Sequence, residues 1–279
     1  MYRNCREYIE ELWIRYAPYC PDAHFEREIR EQFHQRTWEM YLACSLLECG
    51  HKLRKTRSCG PDLCVEGDVP IWIEAVAVEP GDTADRVKNE EERRDTSIPQ
   101  EEGVWIGDPP SEESLILRCT NAMDKKIKQV KKYKKEGIVS EGESFVVAIS
   151  LGKVGGASYF SDPMGASIFI KAFFGIGDEY VAYTPHSGKS SLRHGYLDRP
   201  AIDKISGKPV STRKFLGKDA IDVSGIMGSC IDIFNVQHMP SDLILVNNPM
   251  AIAPYRPRSI RLGSEYRAED GIIKRLDLK

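Results

Sequence analysis

Two stretches constrain this chain more than any others: "PIWIEAVAV", residues 70–78, and "SFVVAISL", residues 144–151. Neither alternates polar with apolar residues, and both carry β-branched or aromatic members. That is the pattern of a strand covered on both faces, so the fold needs a sheet sandwiched between layers. Glu74 interrupts the first stretch. A buried ionised carboxylate is costly without a partner, so Glu74 is either paired with a cation or set at a rim that a metal or substrate can reach.

The surrounding sequence supplies the layers. Residues 22–49 place Phe33, Trp38, Tyr41, Leu42, Leu46 and Leu47 at steps of three and four or beside one another, which predicts an amphipathic helix, and Gly50 ends it. The basic segment "HKLRKTRS" follows, and "DLCV" and "PIWIEAVAV" then read as two strands joined at "EGDV". Residues 80–114, rich in charge, Pro and Gly, read as a long loop insertion with room for a short helix, and Leu115–Glu136 reads as a second long helix. On that helix Arg118, Ala122, Lys126, Gln129 and Tyr133 share one face. In the C-terminal half, strands are predicted at "SIFIKAFFG", "EYVAYTP", "IMGSCIDIFNV" and "DLILVNN", with a basic loop at "SGKPVSTRKFLGK". The GxG of "FGIGD" lacks the third glycine and the strand-to-helix setting of a dinucleotide site.

Composition excludes little. A chain of 279 residues can bury a sizeable core, and a net charge of −3 means that any nucleic-acid surface must be a local patch. The eight cysteines show no CxxC pair and no matching histidine spacing, which is expected of reduced thiols in a cytoplasmic protein. No apolar run is long enough for a membrane span. The oligomeric state, whether homodimer or complex with a partner protein, stays open.

The chemistry gathers around the Glu74 strand. Phosphodiester hydrolysis needs a divalent metal on oxygen ligands, and two carboxylates brought together by a hairpin supply them. Asp62 follows a Gly-Pro turn, Glu74 stands on the adjacent strand, and Glu39 offers a third carboxylate. Read by itself, Glu39 also fits a solvated helix residue paired with Arg36, and Tyr133 and Trp38 also fit core aromatics.

Over roughly residues 25–150 the order of these elements resembles the PD-(D/E)XK nuclease superfamily: a helix with Glu39, then "GPD" with Pro61 and Asp62, then "WIEAV" with Glu74, then a helix and a strand. "QVKKY", with Gln129 and Tyr133, resembles the Q-x-x-x-Y motif of the branch that contains recombination-repair exonucleases. The resemblance implies an α/β, restriction-endonuclease-like core, a mixed central sheet flanked by helices, in residues 1–150. Residues 151–279 would then complete the sheet and add an appendage, possible as one continuous domain. It implies a nuclease dependent on Mg2+ or Mn2+, acting on nucleic acid and first of all DNA, in a setting such as bacterial defence or repair.

One position departs from the family pattern. The family's lysine, two residues after the second acid, falls on Val76. Some members take the lysine from a neighbouring element, which implies Lys126, with Lys125 and Lys128 as alternatives. On this scheme Asp62, Glu74 and the Ala75 carbonyl hold the metal, Lys126 orients the attacking water, and Gln129 and Tyr133 position the site or the strand. Lys125, Lys128 and Arg118 would contact phosphate, within a run of seven lysines from Lys125 to Lys135. The rival reading, prompted by Val76, is a degenerate nuclease fold that binds nucleic acid or a protein partner without cutting.

Overall fold

The computed structural model describes residues 5–98, 106–161, 166–186, 189–230, 232, 239–270 and 272–276. Its centre is an eight-stranded mixed sheet in the order β1-β2-β3-β4-β9-β10-β11-β12. β1 (Leu53–Arg54), β2 (Leu63–Val65), β3 (Ile71–Ala77) and β4 (Ser144–Ser150) come from the first half of the chain. β9 (Gly225–Ser229), β10 (Ile244–Asn247), β11 (Ser264–Glu269) and β12 (Ile272–Leu276) continue the same sheet from the second. β2 and β3 form the antiparallel hairpin read from the sequence, whereas β3 pairs with β4, and β4 with β9, in parallel. All seven residues of β4 are buried, as its unbroken apolar sequence requires.

A parallel pair needs a crossover, and the one between β3 and β4 contains α4 (Glu90–Arg93) and the 24-residue α5 (Glu112–Lys135). Ser111 caps α5 by accepting from the Ser114 amide, Glu112 and Glu113 stand in its first turn, and Lys132, Lys134 and Lys135 in its last, each sign matched to the helix dipole. α5 packs one face of the sheet together with α6 (Ile168–Phe174). The other face carries α1 (Cys5–Tyr16), α2 (Phe25–Glu28) and α3 (Phe33–Glu48). Trp72 and Val76 of β3 belong with the α5 side, and Ile71, Ile73 and Ala75 with the α3 side. The alternation along β3 therefore separates two cores, and Glu74 faces α5.

Two expectations are corrected. "SIFIKAFFG" is a helix, α6, because Ser167 caps its start by accepting from the Phe169 amide and Gly175, at φ 68°, ends it in the left-handed region. A seven-residue segment with six buried apolar members and a single charge, Lys171, carries no periodicity to separate helix from strand, so its caps decide. α6 lies close on the sheet because a Cβ on Gly228 of β9 would stand 2.5 Å from the Phe169 ring. The helix read over residues 22–49 is two helices, α2 and α3, separated by residues 29–32.

"EYVAYTP" lies in β5 (Ile176–His186), which forms a separate hairpin with β6 (Lys189–Asp198). β7 (Ala201–Asp203) and β8 (Pro209–Ser211) make another, so the basic loop at 206–218 holds a short strand and a 3-10 turn. Of "IMGSCIDIFNV", residues 226–229 are in β9, and the stretch from 233 on lies outside the described residues. Among the described residues no helix is long and apolar enough to cross a membrane.

Candidate functional site

The hairpin register sets the site. β2 pairs Leu63 with Ile73, Cys64 with Trp72 and Val65 with Ile71, so Asp62 is the first residue past the ladder, level with Glu74. There β2 stops while β3 runs on, and the backbone groups of β3 that point toward β2 need other partners. The Asp62 carboxylate accepts from the Ala75 amide at 2.7 Å. Gln35 of α3 takes the rest: its side-chain oxygen accepts from the Ala77 amide at 2.8 Å, and its NH2 donates to the Ala75 carbonyl at 3.3 Å and to Glu39 at 2.9 Å. Gln35 thus continues the missing strand with a side chain.

Glu74 points the other way, toward α5. Its Oε1 accepts from the Lys126 amine at 2.7 Å and its Oε2 from the Tyr133 hydroxyl at 3.2 Å. Lys126 also reaches the Gln129 side-chain oxygen at 3.3 Å, and Gln129 in turn donates to the Tyr133 hydroxyl. The three residues stand at steps of three and four on α5, so one helix face presents them together. Val76, two residues on from Glu74, packs into the apolar core on that same side.

Three carboxyl groups meet here, and their environment resists charge. Glu39 is 2% exposed and Glu74 3%. Burial and the nearby Asp62 push Glu39 up to about 8, against the pull of Arg36. Burial and Asp62 likewise raise Glu74 to about 7, against Lys126. Asp62 is raised by burial, although the Ala75 amide, Lys126 and Arg36 favour its charged form. Burial is the largest cause at all three.

That cleft has a volume of about 640 Å3, with Glu39, Asp62 and Glu74 in its wall beside Gln129 and Tyr133. Lys125, Lys128 and Lys132 line its α5 side, and Arg57 and Gly60 the loop before Asp62. Glu39 is not a solvated helix residue. It is buried and bound by Arg36 at 2.9 Å, and Arg36 also holds Asp22 and Glu28, which ties α3 to the segment after α1. Tyr133 presents only its hydroxyl, because its ring is buried against Phe145 and has no face free for a base. Trp38 is a core residue that donates to the Ala148 carbonyl at 3.0 Å.

Arg118 is the predicted site residue that the structure separates from the rest. It lies two turns before Lys126, outside the cleft lining, with its guanidinium packed at the Gly81 turn and its Nε buried with no hydrogen-bond partner among the described residues. Sequence reading missed Gln35 and assigned Arg36 no role in the site. Gln35 precedes Glu39 by four residues, so helical spacing alone puts both over the same stretch of β3.

The grouping offers only hard oxygen donors, the kind that Mg2+ and Mn2+ take. Among the described residues no three His, Cys, Asp or Glu side chains are grouped as a metal cage, and the Ala75 carbonyl, on the same side of β3 as Asp62, accepts from Gln35. Comparison with protein-family models, with curated proteins and with solved structures finds no match to this chain.

Proposed function

We propose that the chain is a metal-dependent nuclease with a restriction-endonuclease-like core, hydrolysing phosphodiester bonds, first of all in DNA. The observation that carries the reading is the meeting of the Lys126 amine, at 2.7 Å, with Glu74, which lines the cleft together with Asp62. A lysine from the neighbouring helix reaches the second acid, which the side chain at Val76 cannot serve. The raised carboxyl groups support the same reading, since acids crowded in a desolvated cleft are what a divalent cation would relieve.

Asp62, Glu74 and the Ala75 carbonyl would hold Mg2+ or Mn2+, which when bound supplies a water of lowered pKa and positive charge beside the phosphorus. The chain's own residues do the rest. Lys126 has three N–H donors; two go to Glu74 and Gln129, and the third is left to orient a water or a phosphate oxygen. Gln129 and Tyr133 fix the lysine and the acid relative to each other. Gln35 keeps the Ala75 carbonyl and Glu39 in place, and Lys125, Lys128 and Arg57 face an incoming phosphate backbone across the cleft.

The degenerate reading has one observation in its favour: the Lys126 ion pair satisfies Glu74 without a metal. Incubation of linear and circular DNA and RNA, single- and double-stranded, with Mg2+ or Mn2+ separates the two. The nuclease reading expects cleavage that Asp62→Ala abolishes. Binding without cleavage on every substrate would favour the degenerate protein.

A further inference from the structure

A second groove, of about 330 Å3, adjoins the catalytic cleft and shares Arg57 with it. It runs between residues 54–57 and the residues after α5, and Arg54, Lys55, Trp72, Ser140 and Glu143 line it. Gly60 packs against Ile138 nearby, within 3.2 Å of a Cβ position, and Gly60 also takes a hydrogen bond from Tyr133. One basic surface therefore passes from Lys125, Lys128 and Lys132 on α5, over Arg57, to Lys55 and Arg54.

Many cations of the chain are matched: Lys134 with Asp222, Lys171 and Arg199 with Glu112, Arg86 with Glu92, Lys214 with Asp124, and on this surface Lys132 with Glu136. Lys55, Arg57, Lys125 and Lys128 are exposed, and among the described residues none of them has an acidic partner. In a chain of net charge −3, a row of unmatched cations is a concentrated positive stripe. The one carboxylate of the second groove, Glu143, is held by the Trp72 indole at 2.9 Å and by the Ser140 amide at 2.8 Å. Arg54 lies over the Trp72 ring at 4.9 Å. Trp72 is buried, so the groove offers charge and no stacking platform.

We infer that this groove is a track for the phosphodiester backbone of a polynucleotide, holding phosphates on one side of the bond cut in the cleft. The inference rests on the proposed nuclease chemistry for its direction, but the track binds by charge alone. Contacts to phosphate carry no sequence information, so binding here is independent of sequence and steep in salt.

The test measures anisotropy of labelled DNA and RNA duplexes of about 30 base pairs in EDTA, over a salt series, for wild type, Lys55→Ala, Lys55→Glu and a remote control, Lys208→Ala. Lys55→Ala should weaken binding a few-fold on every sequence and lower the slope of log K against log salt by about 0.9 for duplex DNA. Lys55→Glu should weaken it further, and Lys208→Ala should match wild type. A comparable loss on both nucleic acids assigns the track to the shared backbone, and a loss on only one narrows it to that sugar. Absence of wild-type binding, or unchanged affinity and slope in both Lys55 variants, overturns the track. Hydrolysis of bis(4-nitrophenyl) phosphate with Mn2+ reads the cleft separately. Lys55→Ala should leave it unchanged, and an equal loss there would mean that Lys55 acts in the cleft or on the fold instead. Binding that behaves as expected while the diester stays intact would fail the nuclease reading and leave the track standing.

Discussion

At Glu74 burial and charge oppose each other, and the side chains around it record the compromise. Asp62 shares that conflict. Replacing it by Asn keeps an acceptor for the Ala75 amide and removes a charge that the folded state disfavours. We expect Asp62→Asn to melt higher than wild type at pH 8 while losing cleavage, as when a binding or catalytic group is held at the expense of stability. The sign follows from linkage: a carboxyl raised in the folded state destabilises that state once the unfolded chain ionises. The advantage of Asn should therefore be full above the raised pKa of Asp62 in the folded state and should close as the pH falls toward its unfolded value of 3.8. Thermal melts across that range check it. Lys126→Ala should lower kcat by about 100-fold or more in a cleavage assay, with far-UV circular dichroism unchanged, because it removes the donor left to orient water or phosphate.

The elements that could be read from sequence were those whose burial leaves a pattern. The β2–β3 hairpin and β4 follow from continuous apolar runs, and the hairpin places Asp62 level with Glu74. α5 was legible to within a few residues at its N-terminal end, since its polar and apolar faces alternate at helical spacing. α6 was not, because six buried apolar residues around the single Lys171 give no such contrast and only Ser167 and Gly175 mark it. Glu39, Asp62, Glu74, Lys126, Gln129 and Tyr133 all lie at one cleft or hydrogen-bond into it, whereas Arg118 shares the α5 face but lies too far along the helix. Gln35 escaped notice because its role exists only where β2 stops and β3 continues. Truncating it should expose that role. Gln35→Ala leaves the Ala75 carbonyl and Ala77 amide without their partner and should cost about 1–3 kcal/mol in denaturant unfolding.

Across the whole molecule the sheet does not respect the midpoint of the chain. β4 closes the first half, yet its other edge pairs with β9, and one apolar core combines residues of α5 with residues from Ile168 through Val246. A fragment of residues 1–150 would leave the fully buried β4 with an open edge and half its covering layer absent. We expect that fragment to aggregate or to melt without cooperativity, as calorimetry would show, whereas the full chain unfolds as a unit. The cleft lies between α3 and α5, the layers on the two faces of β3, and Arg36 fastens the N-terminal segment to it. The sheet thus brings Glu39 from one layer and Lys126 from the other to its own Asp62 and Glu74.

Cleavage of plasmid and linear DNA with Mn2+ or Mg2+ by wild type and Asp62→Asn decides whether Asp62, Glu74 and Lys126 form one metal-dependent hydrolytic centre. Such a centre requires cutting by wild type that EDTA stops, and none by a variant that melts at a higher temperature at pH 8. Equal cutting by both proteins, or none by wild type with either metal on any nucleic acid, would contradict it.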